Sequence, residues 1–206
     1  MPGLVLAGVA DVMLVLGDSL SAGYGIRMEA SWPALLAAKL ETQGYRYQVV
    51  NASISGETTA GGAQRLPSLL ATHHPRVVVI ALGANDGLRG IAPDEVAANL
   101  TVMLTRVRAI GAVAVLLRVR IPPNYGPHYV SRFEAVYNAA AETVQAGETD
   151  GVILAPFMLE RFATDRRAFQ SDGLHPVAAV QGDILDTLWP TLTSAIERVA
   201  RQEAAP

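Results

Sequence analysis

Val12-Met13-Leu14-Val15-Leu16-Gly17-Asp18-Ser19-Leu20-Ser21 decides how this 206-residue chain is read. Five apolar residues run without a polar interruption and stop at Gly-Asp-Ser. An unbroken apolar run, rather than an alternating one, predicts a strand covered on both faces, as in a parallel sheet between helix layers. In an open parallel sheet, ligands bind beyond the carboxyl ends of the strands, where loops and helix N-termini converge. Ser19 stands at such an end, a place suited to a nucleophile. A serine there is also a common helix N-cap, so it needs partners before it signifies chemistry.

The pattern repeats outward from this stretch. Strands are expected over residues 12–16, 47–50, 77–82, 112–117 and 152–154, each a nearly continuous apolar run. Helices are expected over 31–43, 60–72, 93–110 and 131–146. Gly44, Gly111 and Gly147 directly follow three of these, the usual C-terminal signal. A last helix is expected from Val177 into the 190s, interrupted at Pro190. Residues 156–170, with Arg161, Arg166 and Arg167, read as short helices over the surface. Strands alternating with helices predict one three-layer α/β domain over 11–206. Residues 1–10 read as an N-terminal extension or the remnant of a secretory signal. Their apolar stretch ends in the small residues Gly8-Val9-Ala10, but no basic residue precedes it.

Composition removes several function classes. With 16 basic against 19 acidic residues and a net charge of -3, the chain has no basic field for nucleic acid. The absence of cysteine rules out thiol catalysis and cysteine-ligated zinc or iron-sulfur clusters. The only lysine is Lys39, in an amphipathic helical stretch, and no Gly-Lys-Ser/Thr triplet is present to form a P-loop. Lys39 reads as part of a solvated helix face rather than a Schiff-base lysine. The longest apolar runs, 77–84 and 109–117, fall short of the ~18 residues of a membrane-spanning helix, so stable membrane insertion is not expected.

Three further segments fall where the sheet would bring them to the edge that carries Ser19. Asn51 to Thr58 follows the second strand, Gly83-Ala84-Asn85-Asp86-Gly87 follows the third, and Asp172-Gly173-Leu174-His175-Pro176 lies near the C-terminus. A serine hydroxyl attacks well only when a base takes its proton, and a carboxylate-held imidazole is the usual base. His175 fits as that base and Asp172, three residues earlier, as its orienting acid. Charge that develops on an attacked carbonyl needs preset donors, and three are available: the Ser19 N–H, the Gly56 N–H and the Asn85 side-chain amide. Taken singly, each residue has a plainer reading as a cap or turn residue. Taken together, nucleophile, base, acid and donors all fall after strands or on one terminal turn.

The remaining polar candidates read as structural. His73 and His74, before Pro75, suit the capping of terminal helix carbonyls, and His128 lies in a Pro-Gly loop. Asp18 and Asp86 suit the holding of loops through backbone hydrogen bonds rather than proton transfer, which disfavours paired-carboxylate glycoside hydrolysis. A metal centre on Asp172 and His175 lacks a second pair of ligands.

Gly17-Asp18-Ser19-Leu20, the Gly56 segment, Gly83-Ala84-Asn85-Asp86 and Asp172-Gly173-Leu174-His175 together resemble the SGNH, or GDSL, hydrolase family. The likeness spans about residues 11–190. It implies a flavodoxin-like five-stranded parallel sheet of order 2-1-3-4-5, no cofactor, and a serine acyl hydrolase acting on small-molecule esters and thioesters. By the same resemblance Ser19 is the nucleophile, His175 the base, Asp172 its partner, and Ser19, Gly56 and Asn85 the oxyanion hole. The loop Arg120-Ile121-Pro122-Pro123-Asn124-Tyr125-Gly126 matches one that lines an acyl groove, which makes Ile121, Pro122 and Tyr125 candidate substrate contacts. A periplasmic or secreted protein is also implied, with a cytoplasmic one as the alternative, and a monomer is expected. Ser21 stands where the Gly-X-Ser-X-Gly elbow of α/β-hydrolases has its second glycine, so a less strained turn is expected. A carbohydrate or peptidoglycan deacetylase using the same residues, and a non-catalytic ligand-binding module, are the alternative readings.

Overall fold

The apolar run at residue 12 forms β1 (Asp11–Gly17), the second strand of a five-stranded, wholly parallel sheet. Its partners are β2 (Tyr47–Asn51), β3 (Val77–Ala81), β4 (Val113–Leu117) and β5 (Val152–Ala155), in the order β2-β1-β3-β4-β5. The structure, a computed structural model, describes residues 10–145 and 152–204. The expected cap at Gly147 and the extension ahead of Ala10 lie outside the described residues.

Alternate residues of each strand face opposite sides, and both sides are covered. Leu14, Leu16, Val78, Ile80, Ala114 and Leu116 lie in one core. That core is closed by α3 (Thr59–His73), α5 (Pro93–Ala109) and α6 (Pro127–Gln145). Met13, Val15, Val77, Val79, Val113 and Val115 lie in the other, closed by α2 (Trp32–Thr42) and α7 (Gln181–Ala204). Burial on both faces is why the central strands carry no polar alternation; β3 and β4 are buried throughout. The fold is the three-layer α/β architecture expected.

Two short helices were not foreseen: α1 (Ser19–Ala22) directly after β1 and α4 (Ala84–Leu88) directly after β3. Each is about one turn long, too short for apolar periodicity to reveal. Helix α6 starts at Pro127, four residues before the expected Ser131, which places His128 in its first turn rather than in a loop. The stretch 156–170 forms one-turn 3-10 segments at Glu160–Phe162 and Arg166–Ala168.

The last helix departs furthest from expectation. A 3-10 turn covers Ala178–Val180, and α7 then runs from Gln181 through Pro190 without a break. Pro190 lies on the exposed face, so the Asp186 carbonyl that loses its partner N–H is turned toward water. Pro67 inside α3 is accommodated differently. The carbonyl it cannot serve, that of Ala63, accepts from Arg106 Nη1 at 2.6 Å.

Candidate active site

The chain leaves β1 toward β2 on one side and returns through β3 on the other, so the carboxyl ends of β1 and β3 border the crevice where strand order reverses. Ser19 is the first residue of α1, beyond β1. Asp18 caps this helix: its Oδ1 accepts from the Leu20 N–H at 3.0 Å, which fixes the turn that presents the Ser19 hydroxyl. His74 is the only non-glycine residue with positive φ among the described residues, so Ser19 sits in an unstrained turn, as the missing second glycine suggested. Gly17 permits this close turn. A Cβ there would lie 2.7 Å from Ser21 Oγ.

His175 reaches Ser19 from 156 positions further along the chain, its Nε2 standing 2.8 Å from Ser19 Oγ. Its Nδ1 is 2.7 Å from Asp172 Oδ2. Asp172 also accepts from the His175 and Leu174 backbone N–H groups, at 3.0 and 2.9 Å through Oδ1. Those two backbone donors, with the imidazole, hold its carboxyl down at about 2. An ionised carboxylate only accepts, so Nδ1 carries the proton and Nε2 is left free to receive one from Ser19.

The oxyanion candidates lie on the β2 and β3 sides. Asn85 is the second residue of α4, and its Nδ2 donates to the Glu57 carbonyl at 3.0 Å and stands 3.4 Å from Asp18 Oδ2. One amide hydrogen is thus held firmly and the other only loosely. Gly56 lies in the turn between β2 and α3 at φ 81°, a conformation that suits glycine. Its carbonyl accepts from Arg89 Nη2 at 3.1 Å, and the Ile54 N–H of the same turn donates to the Gly17 carbonyl at 3.1 Å. The turn is therefore bonded to the end of β1 and, through Glu57, to Asn85.

Asp18 and Asp86 do hold loops. Asp86 is fully buried and accepts from the Thr59 N–H and hydroxyl at 2.9 and 2.6 Å, joining α4 to the start of α3. Asp18 is 1% exposed, and burial pushes its carboxyl up to about 6, against the Leu20 N–H and the nearby His175.

Ser19, Asn85 and His175 line a cleft of about 460 Å³ whose other walls include Leu20, Leu88, Ile121, Phe157, Phe169 and Leu174. Two of the three expected substrate contacts, Ile121 and Pro122, are on its wall. Tyr125 is not. Its hydroxyl donates to the Leu88 carbonyl at 2.8 Å, so it braces a wall residue rather than forming the wall. Gly56 is also off this wall, at the surface beside the cleft. Sequence reasoning missed Tyr24, whose ring lies against His175, and Gln170, which donates from Nε2 to the Tyr24 carbonyl at 2.8 Å. The one local signal was Gly23-Tyr24-Gly25, an aromatic residue between two glycines.

A hydroxyl, an imidazole and a carboxylate in hydrogen-bonded line at the switch point of a doubly wound sheet define a serine hydrolase. The chain belongs to the GDSL-like Lipase/Acylhydrolase family, whose pattern matches residues 15–181. It is 47% identical to Esterase TesA of Pseudomonas aeruginosa over 189 residues, 92% of this chain and 91% of that protein. It is 44% identical to Thioesterase 1/protease 1/lysophospholipase L1 of Escherichia coli K12 over 180 residues, 87% of this chain and 82% of that one. A crystal structure of TesA superposes with a TM-score of 0.84 at 46% identity, covering 90% of this chain and 99% of the other.

Proposed function

We propose that this protein hydrolyses carboxylic esters and thioesters of apolar acids through an acyl-serine intermediate formed on Ser19. The observation that carries this reading is the relay itself, Ser19 Oγ to His175 Nε2 at 2.8 Å and Nδ1 to Asp172 at 2.7 Å, on the wall of an apolar cleft. Ser19 Oγ attacks the acyl carbon as its proton passes to Nε2, and Asp172 stabilises the imidazolium that forms. The carbonyl oxygen becomes an oxyanion received by the Ser19 N–H, the Gly56 N–H and the loosely held hydrogen of Asn85 Nδ2. When the tetrahedral adduct collapses, the bond to the leaving oxygen or sulfur breaks and that atom takes the proton from Nε2. Water then gives a proton to His175 Nε2 as its oxygen bonds the acyl carbon, and collapse of that adduct breaks the bond to Ser19 Oγ, which takes the proton back from Nε2 as the acid leaves.

The cleft supports an acyl rather than a sugar substrate, because its walls are mostly hydrocarbon. The names of the relatives, an esterase and a thioesterase/lysophospholipase, agree with that choice. All members of the relay come from one chain, which supports action as a monomer. Export to the periplasm or beyond goes with this reading, supported by the apolar residues 3–10 ahead of β1.

The test is Ser19→Ala assayed on p-nitrophenyl butyrate. Turnover falls by more than about a thousand-fold while the thermal melt is retained. A variant that cleaves at the parent rate removes Ser19 as nucleophile. Phosphonate labelling of the parent protein at Ser19, suppressed in His175→Ala, separates an enzyme from a ligand-binding module.

A further inference from the structure

The proton held on His175 Nε2 goes to the leaving-group atom, so the group carrying that atom lies beside the imidazole while its bond breaks. Ser19, Asn85 and His175 line the apolar cleft, but Tyr24 does not. An acyl chain in the cleft therefore directs the leaving group to the other side of the carbonyl carbon, outside the cleft. The Tyr24 ring, which stands off the cleft wall, adjoins the imidazole. The two ring centroids are 4.4 Å apart with planes inclined by 38°, and Tyr24 is 53% exposed.

This exposed ring is carried on a tethered backbone. Gly23 and Gly25 on either side hold φ values of 75° and 73°. The Tyr24 N–H donates to the Ser19 carbonyl at 3.2 Å, and the Tyr24 carbonyl accepts from Gln170 Nε2 at 2.8 Å. The Gln170 N–H in turn donates to the His175 carbonyl at 2.8 Å. A Cβ at residue 25 would lie 2.1 Å from Gln170 Oε1, so the carboxamide has its seat because that residue is glycine. Tyr24 is thus bonded on one side to the nucleophile's own residue and on the other, through Gln170, to the segment that holds the base.

We propose that Tyr24 is a leaving-group platform that favours esters whose departing alcohol carries a planar aromatic ring. This rests on the reading of Ser19 and His175 given above. The exposed part of the ring offers a second aromatic ring a stacking partner beside the imidazole, and a saturated ring of equal size gains only the apolar contact.

Benzyl acetate and cyclohexylmethyl acetate test the proposal, since they share an acyl group and their alcohols are close in size and acidity. In the parent protein benzyl acetate is the better substrate by kcat/KM. In Tyr24→Ala and Tyr24→Leu, kcat/KM for benzyl acetate falls about three- to ten-fold further than for cyclohexylmethyl acetate, while Tyr24→Phe keeps the parent ratio. Product inhibition by benzyl alcohol weakens in the Ala and Leu variants and persists in Phe. Equal losses on both esters would mean that Tyr24 acts only through the placement of His175, and unchanged kcat/KM on both would mean no role; either overturns the platform. Failure of the underlying assignment shows separately, as equal rates for the parent protein and Ser19→Ala.

Discussion

Ser19 lies in a turn set into the core, whereas His175 lies in a turn laid over the surface. Asp18 and Ser21, on either side of Ser19 along the chain, are buried at 1% and 0% exposure, and the helix that starts at Ser19 directly continues a central strand. The segment that carries His175 has no helix or strand of its own, and its Asp172 is exposed. It is closed by an isolated bridge between Phe169 and Pro176, made by the bonds from the Gln170 N–H to the His175 carbonyl and from the Val177 N–H to the Ala168 carbonyl. Asp172 supplies the rest of the order by accepting from two backbone N–H groups and the imidazole. Ser19 is therefore placed by folding of the sheet, and His175 by a few local hydrogen bonds. Changes at Asp172 and His175 should remove activity and spare stability, while changes to the residues that anchor the Ser19 turn, such as Asp18, should reach stability.

The sharpest separation comes from Asp172→Asn. The Asn carbonyl still accepts from the Leu174 and His175 N–H groups, so the turn persists, but its NH₂ faces Nδ1 and enforces the wrong tautomer. Activity on p-nitrophenyl butyrate falls roughly ten-thousand-fold with an unchanged melting temperature. A substantial loss of stability in that variant would break the contrast.

Asn85→Ala falls between the two cases, because the side chain is half-buried and holds the Glu57 carbonyl as well as facing the site. kcat falls roughly 100- to 1,000-fold, with a loss of about 1 kcal/mol of stability from the missing bond. Pre-steady-state acylation rates and denaturant midpoints read the two effects separately. A full kcat would remove Asn85 from the oxyanion hole.

The smallest expected effect lies wholly on the Ser19 side. Burial raises the Asp18 carboxyl from 3.8 to about 6, so between those values the folded protein binds more protons than the unfolded one. This contribution is therefore favourable below about pH 4 and is lost as pH rises through about 6. The loss amounts to about 3 kcal/mol at neutral pH. Asp18→Asn, whose carbonyl still caps Leu20, should flatten that part of the stability profile in guanidinium melts from pH 4 to 7. An unaltered slope would show that Asp18 is not the group responsible. Asp172, held down at about 2, stays ionised in the folded protein throughout this range and adds a slope of opposite sign only near its lower end, where the unfolded carboxyl takes up protons.

Much of the site was legible because its residues obey local rules. Ser19, Gly56 and Asn85 each follow an apolar run, and Asp172 stands three residues before the imidazole it bonds. Apolar runs reveal strands buried on both faces, and the positions just after them mark the functional edge. The unread parts depend on distant segments. Tyr125 looked like a wall residue from its loop, but its hydroxyl meets Leu88, 37 positions away. Tyr24 carried no signal beyond flanking glycines, since its meaning depends on the imidazole brought against it.

The alternation of five strands with five longer helices, the two-sided burial of the sheet and the loops that carry Ser19, Asn85, Asp172 and His175 were all determined by the sequence itself. Each follows from patterns within a dozen residues, where periodicity and turn chemistry act. Tertiary structure alone decided that His175 stands 2.8 Å from Ser19, that Tyr24 lies on the imidazole, and that α7 continues through Pro190. These outcomes depend on which remote segments meet and on which face of an element meets water, and neither is encoded in the spacing of neighbouring residues.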